Sequence, residues 1–214
     1  GEDSITSLHR SKLVGSVRTY VFTGARGLNL KAWLEGIRSG RAFVSTGPLV
    51  RLTVNGKGPG EKISLPADGG TVTLNIWVRS ITPLQQANLI FNGHMVQAIP
   101  LSADKKRVDF KQTMPVRKSG WYHLLVSGRR ADRFPLDASY AQAFTNPVWV
   151  TVGRRPVRNR EAAQYGIRWI DRLQEMAEDW PGWRSSEEKE IVWSQFEKAR
   201  QVYRKLGREA EGMQ

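Results

Sequence analysis

The sequence has no cysteine and only three histidines among its 214 residues. The absence of cysteine excludes disulfide bonds, thiolate metal ligands and cysteine nucleophiles, and it leaves the compartment open. No two histidines have the His-x-His or His-x-x-x-His spacing of a metal site. We therefore expect that these residues cannot build a complete metal centre by themselves.

Long apolar runs are also absent. The longest ones, such as "ANLIF" and "WYHLLV", are far shorter than the roughly 20 residues of a membrane-spanning helix. The first residues contain no apolar stretch of the secretory-signal type, and we find no internal repeat or low-complexity segment. With 40% apolar residues the chain can bury a substantial core, so we expect a globular fold without a membrane span.

Common catalytic motifs are missing as well. No G-x-S-x-G elbow precedes a helix, and "NGKGPG" lacks the lysine-serine ending and following helix of a phosphate-binding loop. His94 follows an Asn-Gly pair and is interpreted as a solvated turn residue. His123, with Trp121 and Leu125 on its own side of a strand, is interpreted as a strand histidine rather than a ligand. Most of the eight tryptophans are assigned to the core or to domain contacts rather than to a sugar-binding platform, with Trp77, Trp121 and Trp149 placed in strands.

Acidic residues are outnumbered, with 20 Asp and Glu against 33 Lys and Arg, which gives a net charge of +13. Such a charge attracts polyanions at long range. The basic residues are spread over loops and the tail, however, and no known nucleic-acid-binding motif accompanies them. The pattern favours a solvated basic surface over a dedicated nucleic-acid site.

The N-terminal segment predicts a strand and a helix. "SVRTYVF" (16–22) is rich in β-branched and aromatic residues. In "NLKAWLEGIRSG", Asn29 is placed as an N-cap and Gly40 as the left-handed residue that ends the helix. One apolar face is expected between them, made of Leu30, Trp33, Leu34 and Ile37.

From 41 to about 152 the apolar residues alternate with period two, as in short strands. The Asn-Gly pairs at 55–56 and 92–93 predict two hairpin turns, because such turns need positive φ at both positions. Seven or eight strands without intervening helices predict a mainly β fold, an antiparallel sandwich of immunoglobulin-like type.

After Gly153 the pattern becomes helical. The first helix is expected from Asn159 to the break at "DWPGW", and the second starts at a Ser185 and Glu188 capping box and reaches Gly207. Together they predict an antiparallel helical hairpin. The expected apolar stripes are Ala163, Ile167, Ile170, Leu173 and Met176 on the first helix, and Val192, Phe196, Ala199, Tyr203 and Leu206 on the second.

Five segments taken together resemble a known family. They are "VGSVRTYVF", "LKAWLEGIRSGRAFVSTGPLVRLTVNGKGPGEKI", "SGWYHLLVSG", "AFTNPVWVTVG" and "WIDRLQEMAE". The order of these segments is similar to that in the C-terminal part of the carbaryl-hydrolase-like (CehA/McbA) branch of the polymerase-and-histidinol-phosphatase (PHP) metallohydrolases. The run from Trp33 to Gly60 is its most specific element. In such proteins an N-terminal barrel with histidine-rich motifs binds divalent metals and hydrolyses ester-type bonds, and an all-β domain with a helical tail follows.

The resemblance implies three regions: 1–40 as the last strand and helix of a PHP-type barrel, 41–153 as the immunoglobulin-like β-sandwich, and 154–214 as the C-terminal helical hairpin. It also implies a partner, the missing N-terminal barrel of the parent chain. Without that barrel, apolar faces around Val17, Tyr20, Trp33 and Ile37 would lose their neighbours. We expect them to dock on the sandwich, to form a homo-oligomer or to be disordered.

The opening "GEDS" resembles the late G-x-D-x-H motif of the family, which implies a metal-ligand role for Asp3. The histidine of that motif is replaced by Ile5, and His9 is the alternative ligand. Asp3 and His9 are fewer than the three protein ligands of a hydrolytic centre. We therefore expect this fragment to hold no cofactor and to be catalytically inert, whereas the parent would use Zn or Mn to hydrolyse ester or phosphoester bonds. The resemblance also implies an extracytoplasmic location, periplasmic or secreted.

An alternative function belongs to another class. The chain would then be a non-enzymatic basic module that binds acidic polysaccharide or nucleic acid through Arg154, Arg155, Arg158 and Arg160. Binding of this kind weakens steeply with salt, because each neutralised phosphate releases counterions.

Overall fold

The computed structural model describes residues 15–24, 27–130 and 140–211. These residues form a mainly β fold with a pair of helices at the C-terminal end, as predicted. The chain divides into two compact units, Gly1–Arg155 and Pro156–Gln214. The described part contains no helix long and apolar enough to cross a bilayer.

Eleven strands and three helices lie in the described residues. The strands are β1 Arg18–Val21, β2 Ala42–Ser45, β3 Leu49–Val54, β4 Lys62–Leu65, β5 Gly70–Arg79, β6 Leu84–Phe91, β7 His94–Ala98, β8 Arg107–Val116, β9 Gly120–Arg130, β10 Tyr140–Thr145 and β11 Val148–Val152. The helices are α1 Leu30–Arg38, α2 Arg160–Glu178 and α3 Ser186–Glu211.

The strands form two sheets. The larger one has the order β1-β2-β10-β9-β11-β4, and β6 pairs with β9 and with β7. The smaller one has the antiparallel order β3-β5-β8. The strand pairs are antiparallel as predicted, except that β4 pairs with β11 in parallel in the larger sheet. The reason is that β4 does not fold back onto β3 but joins the other sheet.

Both sheets contribute to one core. In β5 every second residue is buried, namely Val72, Leu74, Ile76 and Val78, whereas the residues between them face outward. In β9, Tyr122, Leu124 and Val126 are buried in the same way. These side chains belong to a single hydrophobic cluster that contains residues of both sheets. The period of two in the sequence therefore reports burial of one face of each sheet.

The two Asn-Gly turns have the predicted backbone. Asn55 and Gly56 have φ of 48° and 77°, and Asn92 and Gly93 have φ of 50° and 86°. Asn92–Gly93 joins the paired strands β6 and β7. Asn55–Gly56 joins only one isolated bridge, between Val54 and Lys57. Both turns therefore have the predicted backbone, but only the second one connects two paired strands.

Helix α1 begins and ends as its sequence predicts. The Asn29 side chain accepts a hydrogen bond from the Ala32 amide at 2.8 Å, and Gly40 has φ of 69°. The helix packs on β1 through Ala32 and Gly36. A Cβ at Gly36 would lie 2.3 Å from Cγ1 of Val21, so only glycine allows this approach.

The two C-terminal helices are joined by a short loop. The Asn159 side chain caps α2 by accepting from the Ala162 amide at 3.0 Å. At the start of α3, Ser185 Oγ accepts from the Glu188 amide at 3.1 Å. The Glu188 carboxylate accepts from the Arg184 amide at 2.9 Å, so the second half of the predicted capping box is displaced by one residue.

The buried side of α2 differs from the predicted stripe. Ala163 and Ile170 are buried, but Leu173 and Met176 are exposed. With 3.6 residues per turn, the side toward α3 continues through Gln174, which accepts a hydrogen bond from Arg200 of α3. The predicted end of α3 at Gly207 was also wrong, because the helix continues to Glu211. A Cβ at Gly207 would lie 3.8 Å from the Cβ of Ala163, which places this glycine at the contact between the helices.

Candidate functional site

The two predicted metal ligands, Asp3 and His9, lie outside the described residues. Within the residues that are described, no three His, Asp or Glu side chains lie together in a way that could hold a metal ion. His94 is exposed at the start of β7, in accord with its interpretation as a turn residue.

His123 is a packed strand histidine, as predicted. Its ring lies 5.4 Å from the ring of Trp121, centroid to centroid. Burial lowers the pKa of the His123 imidazole from its ordinary value, because the charged form loses hydration. A neutral imidazole against an indole is part of the surface packing of β9.

The four arginines of the predicted polyanion site are divided between the two units of the chain. Nη2 of Arg155 donates to the Ala67 carbonyl at 2.9 Å, and Nε of Arg158 donates to the Glu209 carboxylate at 2.8 Å. Arg154 is exposed in a turn with φ of 58°, and Arg160 is the first residue of α2. Arg155 and Arg158 thus each bond to a neighbouring part of their own unit.

A cluster of exposed apolar side chains surrounds α1. We call it the α1 surface. Each member exposes more than a third of its area, although large apolar side chains are usually buried. Its members are Phe22, Leu28, Leu30, Trp33, Leu34 and Ile37.

The α1 surface follows from the way the helix sits on β1. Ala32 and Gly36 face the strand, and at 3.6 residues per turn Leu30, Trp33, Leu34 and Ile37 project to the opposite side. Strand β1 is itself the last strand of the larger sheet and pairs only with β2 in the described chain. The helix and the open strand edge together form an apolar surface with hydrogen-bonding groups at its border.

Tyr20 and Trp33, both expected to lack neighbours, differ in how far the rest of the chain covers them. The Tyr20 ring stacks on Phe43 of β2, with centroids 4.7 Å apart and planes at 7°. Trp33, in contrast, is 38% exposed. The larger sheet therefore covers part of the N-terminal segment, and the outer side of α1 stays uncovered.

The outward face of the smaller sheet holds a tryptophan. Trp77 is 36% exposed, with Arg51 and Asp109 opposite it on the neighbouring strands. The guanidinium carbon of Arg79 lies 4.7 Å from the ring centre, a cation–π contact. The signal was present in the sequence, because Trp77 alternates with the apolar residues of β5 and shares its side with Asn75.

Comparisons of the chain with family models, curated proteins and solved structures find no match. The resemblance to the PHP metallohydrolases therefore stays a prediction that depends on the sequence segments alone.

Proposed function

We propose that this chain is the C-terminal accessory region of a PHP-type metal-dependent hydrolase and is catalytically inert by itself. In this proposal β1 and α1 are the end of the barrel, the two sheets form an immunoglobulin-like sandwich, and the helical pair is the tail. The observation that carries the proposal is the α1 surface. Helix α1 is amphipathic, and its apolar side is turned away from the sheet on which the helix lies.

The energetics support a covering domain at this surface. Burial of one large apolar side chain contributes about 1.5–3 kcal/mol, so the side chains of the α1 surface together leave much apolar area in water. Among the described residues β1 pairs only with β2, so a partner that adds a strand to its other edge would also satisfy the main-chain groups there. A barrel that ends in β1 and α1 would supply both the strand and the apolar cover.

The core supports the sandwich part of the proposal. Alternate residues of both sheets are buried in one hydrophobic cluster, as in two sheets packed face to face. The parallel pairing of β4 with β11 adds a strand to an arrangement that is otherwise antiparallel. This strand would extend the edge of an immunoglobulin-like sandwich, and its Ile63 belongs to the same core cluster.

Inertness follows from the number of available ligands. A hydrolytic Zn or Mn centre needs at least three protein ligands and an open position for water. In the proposal Asp3 contributes one ligand, with His9 as a second candidate, and the barrel of the parent chain supplies the others. The accessory region would support that barrel and border its substrate entrance.

The proposal is tested by extending the chain toward the N-terminus. We expect the preceding gene region to encode a His-x-His segment, and we expect the longer protein with Zn or Mn to hydrolyse aryl esters or phosphoesters. Under the same conditions the 214-residue chain should show no turnover and no stoichiometric metal binding by calorimetry. Turnover by the 214-residue chain, or an upstream region without His-x-His, would contradict the proposal.

A matched pair of variants tests the role of the α1 surface in the longer protein. Trp33→Ser should lower its Tm, because the barrel covers Trp33. Trp77→Ser, at a residue of nearly equal exposure on the outward face of the smaller sheet, should leave the Tm nearly unchanged. Equal shifts for the two variants would count against a covered α1 surface.

Polyanion binding is the second candidate function. The observation that favours it is the set of basic side chains on the outward face of the smaller sheet, where Arg51, Arg107 and Lys111 are exposed around Trp77. An aromatic ring among cationic side chains can stack on a base or sugar while the cations bind acidic groups.

A further inference from the structure

The outward face of the smaller sheet surrounds an exposed tryptophan with polar and charged side chains. Trp77 lies on the central strand β5 and is 36% exposed, whereas the other strand tryptophans, Trp121 and Trp149, are partly buried. Tryptophan is highly buried on average, so its exposure in the middle of a sheet face is informative. We call this area the Trp77 face, and it consists of Arg51, Asn75, Trp77, Arg107, Asp109 and Lys111.

Arg79, two residues further along β5, holds the indole ring of Trp77. Its Nη1 donates to the carbonyls of Val78 and Val108 at 2.8 and 3.0 Å, and its Nη2 donates to the Asp109 carboxylate at 2.8 Å. The guanidinium carbon lies 4.7 Å from the centre of the indole ring. Because the two carbonyls keep the guanidinium close to the main chain, it supports the inner side of the ring and leaves the outer side to solvent. The ring is therefore positioned before a ligand binds, which lowers the entropic cost of binding.

Three exposed cations lie around the ring. Arg51 is opposite Trp77 on β3, and Arg107 and Lys111 lie on β8, on either side of Asp109. From the spacing of strands and of residues along them, these cations border an area of about 10 by 14 Å. An area of this size accommodates a short chain of sugar rings, and its charge attracts anionic groups.

Neutral hydrogen-bonding side chains continue the face along the strands. Asn75 is exposed one row from Trp77, and the Oγ1 atoms of Thr73 and Thr113 lie 3.4 Å apart in the next row. Amide and hydroxyl groups both donate and accept hydrogen bonds, as the hydroxyl groups of a sugar do. The face thus combines an aromatic ring, cations and neutral polar groups.

We propose that the Trp77 face binds an acidic polysaccharide whose sugar rings carry carboxylate groups. The C–H groups of one ring pack on the negative face of the indole. The guanidinium of Arg51 binds the carboxylate of that sugar with two parallel N–H donors, and Arg107 and Lys111 attract the carboxylates of neighbouring sugars. This inference rests on polyanion binding, the second candidate function, and names its ligand class.

Asp109 favours a sugar chain over nucleic acid. Its side chain is 64% exposed and lies beside Trp77, with one oxygen bonded to Arg79. A carboxylate accepts hydrogen bonds from sugar hydroxyl groups, whereas it repels the phosphates that a base stacked on Trp77 would bring near. A row of phosphates would fit a track of cations without a carboxylate in its middle.

The strength of binding follows from the size of the face. One aromatic ring and three solvated cations give weak binding, with a Kd of about 0.1 to 1 mM at low salt. The charged contacts lie in solvent, so binding should weaken as salt is added.

Calorimetric titration of the 214-residue chain tests the ligand class. The acidic probes are tetragalacturonate and hyaluronan tetrasaccharide, and the neutral control is maltotetraose. At least one acidic probe should bind in the stated range, and maltotetraose should bind at least about tenfold more weakly. Binding of neither acidic probe, or equal binding of maltotetraose, would overturn the proposal.

A matched pair of tryptophan variants locates the binding site. Trp77→Ser should lower the affinity for the acidic probe at least about tenfold. Trp169→Ser removes a tryptophan that is 55% exposed on α2, and it should leave the affinity unchanged. Circular dichroism checks that both variants keep their fold. Equal losses in the two variants would overturn the assignment to the Trp77 face.

Removal of the cations separates the roles of charge and ring. Arg51→Ser with Lys111→Ser should lower the affinity for the acidic probe toward that for maltotetraose. An unchanged preference for the acidic probe in this double variant would overturn the role of the cations.

Titration with a short oligothymidylate distinguishes this inference from polyanion binding in general. Oligothymidylate that binds through Trp77 more tightly than both acidic sugars would overturn the sugar ligand and leave polyanion binding intact. No binding of any of the three anionic probes would contradict both.

Discussion

Several glycines lie where two elements of this fold come into close contact. Gly36 lets α1 lie against Val21, and Gly166 of α2 faces the ring of Tyr203, where a Cβ would lie 2.5 Å from a ring carbon. Gly60 precedes β4, and its amide donates to the Pro147 carbonyl at 2.8 Å. A Cβ at Gly60 would lie 1.9 Å from the carbonyl oxygen of Ser39. Steric exclusion and positive φ both demand glycine at this last position.

Gly60 and Gly56 form a matched pair for mutation. Both have positive φ, 82° and 77°, but nothing lies within 4 Å of a Cβ at Gly56. Gly56→Ala should therefore lower the free energy of unfolding by only about 1 kcal/mol, the cost of the left-handed backbone. Gly60→Ala should cost at least about 3 kcal/mol, because the backbone around Ser39 must also move. Urea unfolding followed by tryptophan fluorescence measures both, and equal effects would contradict the close contact.

Helices show where a sequence pattern is and is not sufficient. The caps at Asn29 and Ser185 are local and were predicted correctly, as was the start of a helix at Asn159. The apolar stripe of α1 was found as well, but the stripe predicted on α2 combines residues that are buried with residues that are exposed. In α1 the stripe faces away from β1, and in α2 Met176 is exposed. Periodicity reports that one side is apolar, whereas the neighbouring element decides which side is covered.

A partly buried ionic contact joins α2 and α3. The Arg200 side chain is only 14% exposed, and it donates to Asp171 at 2.7 Å, to Gln174 and, within α3, to Glu197 at 3.5 Å. Arg204 bonds to Glu197 at 3.0 Å but is 52% exposed. The first arginine bonds across two helices and is itself mostly buried, and the second lies within α3 at the surface. Their contributions to stability should therefore differ.

Alanine variants of the two arginines measure this difference. Arg200→Ala should lower the free energy of unfolding of the two helices by about 2 kcal/mol, because Asp171 and Gln174 lose a shared, partly buried hydrogen-bond donor. Arg204→Ala should cost about 0.5 kcal/mol or less, as exposed ion pairs do. Urea titration monitored by far-ultraviolet circular dichroism gives both values. A larger loss for Arg204→Ala would contradict the assigned roles.

At the scale of the whole molecule, the net charge of +13 and the exposed apolar surfaces oppose each other. The charge keeps copies apart at low salt, and it also attracts any polyanion without a specific site. Retention on heparin alone therefore does not distinguish a solvated basic surface from a polyanion-binding face. To distinguish these two possibilities, the same number of basic residues has to be removed from two different places on the surface.

Two double variants supply that comparison. Arg51→Ser with Lys111→Ser removes two charges beside Trp77, and Arg117→Ser with Lys118→Ser removes two exposed charges after β8. If the basic surface is only solvated, both should elute from heparin at the same lowered salt concentration, because each loses about two contacts to anionic groups of the polymer. A clearly earlier elution of the first variant would instead support the polyanion-binding function.

The sequence was informative about the candidate site only in part. Asn29 and the stripe of α1 could be found from the sequence, but the exposure of Trp33 required the position of β1. The prediction placed Trp77 in a strand without assigning its side, although its alternation with the core residues of β5 indicated the outward side. Asp3 and His9 lie outside the described residues, so their role stays a prediction.

By itself the sequence determined what depends on neighbours along the chain. The mainly β character, the two C-terminal helices, the helix caps and the backbone of both Asn-Gly turns follow from residues within a few positions of each other. Only the tertiary structure decided the parallel pairing of β4 with β11, the outward side of α1, the exposure of Leu173 and Met176 on α2 and the contact at Gly60. The physical reason is that these features depend on contacts between segments distant in sequence, and periodicity carries no information about which segments meet.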